Sequence, residues 1–228
     1  VNSFKLLLAA ILSLVLSSSF SNSFNDYPTL ISLGKLVKDP VENVISISSG
    51  FRDIYSDINY IRLLEYYGTP EEGSENVEYG DGKYPAFYPM SLDIVIENPY
   101  YTNAVMTSAG VLGFNLDEVY KAISILKFAL IYDRNNYKYI TLLSALMIKQ
   151  SRKKIYDDKL LSDLYNISFE ENTPVVIRQA SAFLHKEAKK YDRALKLYEL
   201  IIKTSKEKSY TDNAERQIKL IRERYEVN

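Results

Sequence analysis

The chain has 228 residues, and its 28 Lys and Arg against 29 Asp and Glu leave a net charge of −1, which excludes attraction to nucleic acid through overall charge. With 46% hydrophobic and 25% charged residues it has the balance of an ordinary folded protein and not of a disordered one. The absence of cysteine excludes a disulfide framework, a thiolate metal site and a cysteine nucleophile.

At the amino terminus Lys5 precedes an apolar core of 11 residues, Leu6 to Leu16, and then Ser17-Ser18-Ser19. One positive charge, a short apolar core and a run of small residues is the pattern of a secretory signal. The core is shorter than the roughly 17–25 apolar residues of a spanning helix. Residues 1–21 are therefore expected to be a signal peptide that is cleaved or a signal anchor that is kept, with an amphipathic or buried helix as the third reading.

Residues 22–99 read as an N-terminal helical region. A polar lead-in is followed by a short apolar segment, Leu30 to Val37, ended by Asp39-Pro40, and Val41 to Ser48 reads as a short helix. Phe51 to Tyr67 is a helix by its three- and four-residue apolar steps, with Phe51, Ile54, Tyr55, Ile58, Ile61 and Leu64 as the expected inner stripe and Gly68 as its stop. Residues 69–83 form a loop with glycines at 73, 80 and 82 and five acids against Lys83 alone. Its acids lack the register of a calcium loop. A further helix is expected from Ala86 to Glu97, stopped by Asn98-Pro99.

From Tyr100 onward helical pairs recur. Small residues at Gly110, Ser144 and Ala182 are followed by second-helix positions at Ala122, Leu160 and Ala194. Gly110 to Ser144 spans 34 positions and Ser144 to Ala182 spans 38, whereas Ala122 to Leu160 spans 38 and Leu160 to Ala194 spans 34. One insertion explains both departures: Ser144 to Leu160 is 16, where the equivalent steps in the other two pairs are 12. The extra residues fall in the turn around Ser151 to Lys154. Residues 100–208 are thus expected to hold three repeats of the 34-residue type, with small side chains allowing close helix crossings and Leu160 widening the middle one. In the third pair, Thr173 is the expected N-cap and Pro174 the first-turn residue, with Ala194, Leu195, Leu197, Tyr198, Ile201 and Ile202 as the second helix's inner stripe. Residues 209–228 then read as a capping helix with Thr211 or Asp212 at its start and Ala214, Ile218 and Ile221 inside.

Residues that could carry chemistry are sparse. His185, the single histidine, falls at a packing position, and Asp157-Asp158 and Glu170-Glu171 lie where helices begin or end and are expected to cap or to be solvated. No phosphate-cradling glycine loop, nucleophile elbow or HExxH run is present, so no catalytic residue, cofactor or metal is expected. The 20 tyrosines are expected to pack at helix seams, with a stacking surface as the alternative. From Val175 to Asn228 there are 13 Lys and Arg against 8 Asp and Glu, a basic end that suits a solvated face or an acidic partner.

The run Ser49 to Asp57, with Tyr60-Ile61-Arg62 and Tyr66-Tyr67-Gly68 after it, and the segment Tyr84-Pro85 through Asn98-Pro99-Tyr100-Tyr101, resemble a group of bacterial cell-envelope tetratricopeptide-repeat proteins with an N-terminal signal segment. The repeats predict an all-α, right-handed solenoid of about three helical hairpins. The resemblance implies an exported, membrane-associated or periplasmic scaffold, with a secretion, pilus or polysaccharide assembly as the expected setting. It brings no catalytic residues with it. In such a solenoid the first helix of each pair lines a concave groove. Lys138, Thr141, Ala145 and Ile148 are the expected groove strip of one pair, and Gln179, Phe183 and Lys186 that of the next. The expected partner is a protein in that groove, with membrane association through residues 4–20 and no nucleic acid. A small-ligand binder or enzyme using the Tyr-rich N-terminal half is the alternative.

Overall fold

A computed structural model describes residues 52–69 and 84–225. The signal segment, the lead-in with its two short segments, residues 70–83 of the acidic loop and residues 226–228 lie outside the described residues. Within them the chain is all-α, without a strand. The helices are α1 (Arg52–Gly68), α2 (Phe87–Glu97), α3 (Thr102–Gly110), α4 (Val119–Tyr132), α5 (Tyr137–Ser151), α6 (Asp158–Ile167), α7 (Val175–Glu187), α8 (Tyr191–Thr204) and α9 (Lys208–Tyr225).

In α1 the expected stripe is not the buried one. Ile54 and Ile61 are more than half exposed, while Ser56, Leu63 and Tyr67 are buried. The tyrosines decide the rotation. Tyr67 packs on Tyr84 and Phe87, Tyr66 meets Tyr84 edge-on, and Tyr60 meets Tyr101 edge-on at 5.3 Å. An aromatic ring buries more area than an isoleucine, and its hydroxyl can still find a partner. Tyr60 hydrogen-bonds Thr107, and the Tyr67 hydroxyl accepts from Asn115 at 2.7 Å.

Helix α3 does not stop at Gly110 but widens into a π-helical turn, Val111–Asn115. Two backbone bonds close it, from Leu116 N–H to Val111 O and from Glu118 N–H to Leu112 O. Asp117 then reverses the chain in the left-handed region at φ 55°. The close approach expected at Gly110 occurs three residues on. A Cβ on Gly110 would meet nothing within 4 Å, whereas one on Gly113 would lie 2.2 Å from Leu146 Cδ2 and 3.3 Å from Ala122 Cβ. Leu146 and Ala122 are fully buried and have little room to give. Gly113→Ala is therefore expected to destabilise by about 1–3 kcal/mol, the usual cost of overpacking. Urea titration checks this, and trimming the neighbour in Gly113→Ala/Leu146→Val should recover part of the loss.

The longer middle connection lies where the spacing puts it. Residues 152–157 join α5 to α6, against 116–118 before α4 and 188–190 before α8. Helix α6 starts on Asp157, whose carboxylate accepts from the N–H groups of Lys159 and Leu160. It leans on α7, while α5 packs between α4 and α7. Two expected caps move. Pro174 and not Thr173 precedes α7, because the buried Thr173 hydroxyl donates to Ile167 O at 2.6 Å. Helix α9 begins at Lys208, so Thr211 and Asp212 lie within the helix and not at its start, and Thr211 Oγ1 donates back to Lys208 O.

The buried side chains form two groups. A larger core runs from Leu63 through α2–α6 to Ile177 and Leu184 of α7. A smaller one joins Ala182 of α7 to Ala194, Leu197, Tyr198 and Ile201 of α8 and Ala214, Ile218 and Ile221 of α9. Helix α7 is the wall they share. The expected inner stripes of α8 and α9 are the ones buried, with Leu195 and Ile202 only half covered.

Candidate interaction face

The expected groove residues lie on α5 and α7, which pack directly on each other. Asn136 starts α5 by accepting from the N–H groups of Lys138 and Tyr139. Lys138 is exposed at that end, while Thr141, Ala145 and Ile148 are half-buried along the helix. Ile148 also rests against the larger core, and the Thr141 hydroxyl is turned back to donate to Tyr137 O. On α7, Gln179, Phe183 and Lys186 are half-buried. The oxygen Gln179 Oε1 is buried and has no hydrogen-bond partner among the described residues.

Lys186 is held more firmly than the helical spacing suggests. Its Nζ donates to Gln217 of α9 at 3.0 Å, lies 3.6 Å from Glu187 and sits 5.3 Å over the Phe183 ring. It joins α7 to α9 and is not a free charge for a partner. Lys138 keeps its exposed position.

Several other polar groups are committed to structure. Asp117 takes Lys149 at 2.8 Å and Lys153 at 3.2 Å, and these two hydrogen bonds hold its carboxyl below the usual range. Lys149 also donates to Gly113 O at 2.6 Å, so the π turn is tied to the end of α5. Asp158 pairs with Lys190 at 2.6 Å, which lowers its pKa in the same way. Burial, and then a hydrogen bond with Asp57, pushes the Tyr101 hydroxyl up to about 12. A crevice at the α5–α6–α7 junction is lined by Met147, Gln150, Ile155, Tyr156, Asp157, Leu161 and Leu184, with about 180 Å³ of space that includes open solvent. Its one carboxylate, Asp157, is already the cap of α6.

Among the described residues no three His, Cys, Asp or Glu side chains come together to hold a metal ion. No described helix is long and apolar enough to cross a membrane. Spacing alone missed Arg178 and the π turn. The first carries an unusual buried charge, which only the carbonyls around it explain. The second is announced by no residue pattern beyond Gly113. The chain matches no protein-family profile, no curated protein and no solved structure.

Proposed function

We propose that this chain is a tetratricopeptide-like right-handed α-solenoid that serves as a protein-interaction scaffold. On this reading it is exported or anchored at the bacterial cell envelope through residues 4–20 and takes part in an assembly such as a secretion, pilus or polysaccharide machine. The order of helix packing supports the solenoid in its first and third pairs: α3 meets α4 and α5, α5 meets α7, and α7 meets α8 and α9, whereas α6 of the middle pair rests on α7 more than on α5. The 34-residue spacing supports it as well.

The observation that carries the scaffold reading is the face shared by α5 and α7. Ala145, Ile148 and Phe183 give it a half-covered apolar lining, and Gln179 Oε1 is a buried acceptor left unmet. The tyrosines of the N-terminal half favour this reading over a small-ligand site, because Tyr60, Tyr66, Tyr67, Tyr84 and Tyr101 are taken up in packing one another.

Affinity capture from solubilised envelopes tests the proposal with the parent chain and the variant Lys138→Glu/Phe183→Ala. The expected result is a partner held by the parent and lost by the variant, at a thermal midpoint close to the parent's. A partner retained by both chains, or none for either, overturns the groove reading.

A further inference from the structure

His185 stands at the boundary between the two cores. Leu184, beside it on α7, belongs to the larger core, and Ala182, one turn earlier, belongs to the smaller one. The imidazole is wholly buried. Its Nδ1 lies 2.9 Å from Ser181 O, and a carbonyl only accepts, so Nδ1 carries the proton and Nε2 the lone pair. Nε2 is buried with no hydrogen-bond partner among the described residues, and so is the nearby Ser181 Oγ.

The Ser181 carbonyl on Nδ1 favours a protonated ring, but burial and the charges nearby oppose it. From α6 comes Tyr165, with its ring 5.4 Å away. From α8 comes Arg193, whose guanidinium lies 5.1 Å over that same tyrosine, and the α7–α8 connection adds Lys190. Both charges acting on the imidazole are positive, and no charge from α5 or α9, the other helices against α7, is among them. On α7 itself Lys186 and Glu187 follow the histidine and lie 3.6 Å from each other.

We propose that His185 is an acid-sensitive joint: protonating its buried Nε2 is incompatible with the closed seam and releases α8 and α9 from the rest of the stack. The imidazolium would be a cation with an Nε2–H aimed at no acceptor among the described residues, beside Arg193 and the Lys190–Asp158 pair, and a buried group in that position opens to water. This goes beyond the scaffold reading and does not depend on it. Helices α8 and α9 are the part that can leave, because their apolar residues close a core of their own against one face of α7.

Burial is the main reason that the histidine's pKa lies below its ordinary 6.5. The sign follows from proton counting. Once pH falls below 6.5 the unfolded chain binds a proton that the closed fold does not, so stability drops until the folded pKa is passed.

With one histidine in the chain, its ring carbon-bound proton signals can be followed by NMR without assignment. Two measurements on the full chain test the joint: this titration, and urea midpoints at pH 7.5 and 5.5 for the parent and for His185→Asn. Asparagine keeps an N–H for Ser181 O but does not titrate. The expected result is a folded-state titration below 6.5, a parent midpoint that falls between the two pH values, and a variant midpoint that falls by less than half as much. Hydrogen exchange, corrected for intrinsic rate, should show α8 and α9 losing protection at pH 5.5 before α2–α4. A histidine that titrates at 6.5 or above in the folded chain, equal midpoint shifts in the two chains, or uniform loss of protection overturns the proposal. If His185→Asn does not fold, the parent's titration and exchange pattern decide.

Discussion

Ala194→Glu is expected to unfold the C-terminal third of the protein. Ala194 is fully buried on α8, inside the smaller core that joins Ala182, Leu197, Tyr198, Ala214 and Ile218. A glutamate there inserts four extra heavy atoms beyond Cβ, a methylene and a carboxylate, into a space lined by apolar side chains. Its charge would have to stay unpaired in the core or take up a proton. Stranding a charge in a protein interior costs roughly 3–5 kcal/mol. For a chain of this size that corresponds to a fall of roughly 6–20 °C in midpoint, and it is comparable to the whole stability of a small subdomain.

The loss should be local in its first stage. Helices α8 and α9 share their core with one face of α7, whereas α1–α6 rest on the larger one. Exchange protection in α8 and α9 should collapse while α2–α4 remain protected. Ala194→Ser, which adds one oxygen, serves as the mild control. A glutamate variant that melts within 2 °C of the parent would show that α8 does not face α7 through Ala194.

Arg178→Met is expected to be the second large loss. Arg178 is 7% exposed, yet among its described contacts there is no carboxylate. Its Nε donates to Ser168 O at 3.0 Å, Nη2 to Glu170 O at 2.9 Å and Glu171 O at 3.3 Å, and Nη1 to Thr204 Oγ1 at 2.8 Å. Ser168 is the C-cap of α6, so the cation lies at the negative end of that helix dipole. One planar guanidinium thus ties the end of α6, the connection to α7, and the end of α8. Methionine keeps much of the volume and none of the donors.

Hydrogen bonds to a charged group contribute about 1.5–3 kcal/mol, and the orphaned carbonyls add to the loss, so the total is expected near 3–4 kcal/mol. Arg178→Lys should recover only part of this, since a single ammonium cannot reach donors spread over a fork. Urea midpoints of the three chains check it. Equal midpoints for arginine and lysine would mean that charge alone matters there and the fork does not.

These two residues also mark where reading the chain stops short of the structure. Ala194 was legible because the helix around it repeats apolar residues at three- and four-residue steps, and a small residue within such a stripe points inward. Arg178 was not legible as a structural centre, because three of its four partners are backbone carbonyls and a carbonyl has no residue identity to read. For the candidate face, helical spacing placed Thr141, Ala145, Ile148, Gln179 and Phe183 on half-covered surfaces of two touching helices. It could not show that Lys186 is taken up by Gln217 of α9, 31 positions away.

By itself the sequence determined the all-α class, the run of α2, the existence of helices around Ala122, Ser144, Leu160, Ala182 and Ala194, the long α5–α6 connection, and the inner stripes of α8 and α9. All of these follow from local periodicity and from residues that start or stop a helix, interactions within one or two turns of chain. The tertiary structure alone decided which of two apolar faces α1 buries, and that Gly113 and not Gly110 is the point of close approach. It alone placed Arg178 in its carbonyl cage and His185 on the line between two cores. Each depends on a surface brought from elsewhere in the chain: Tyr84 and Tyr101 for α1, Leu146 for Gly113, the end of α8 for Arg178, and Tyr165 for His185. A helix's own period says that one face is apolar. Which face is buried depends on the shape and area of what packs against it.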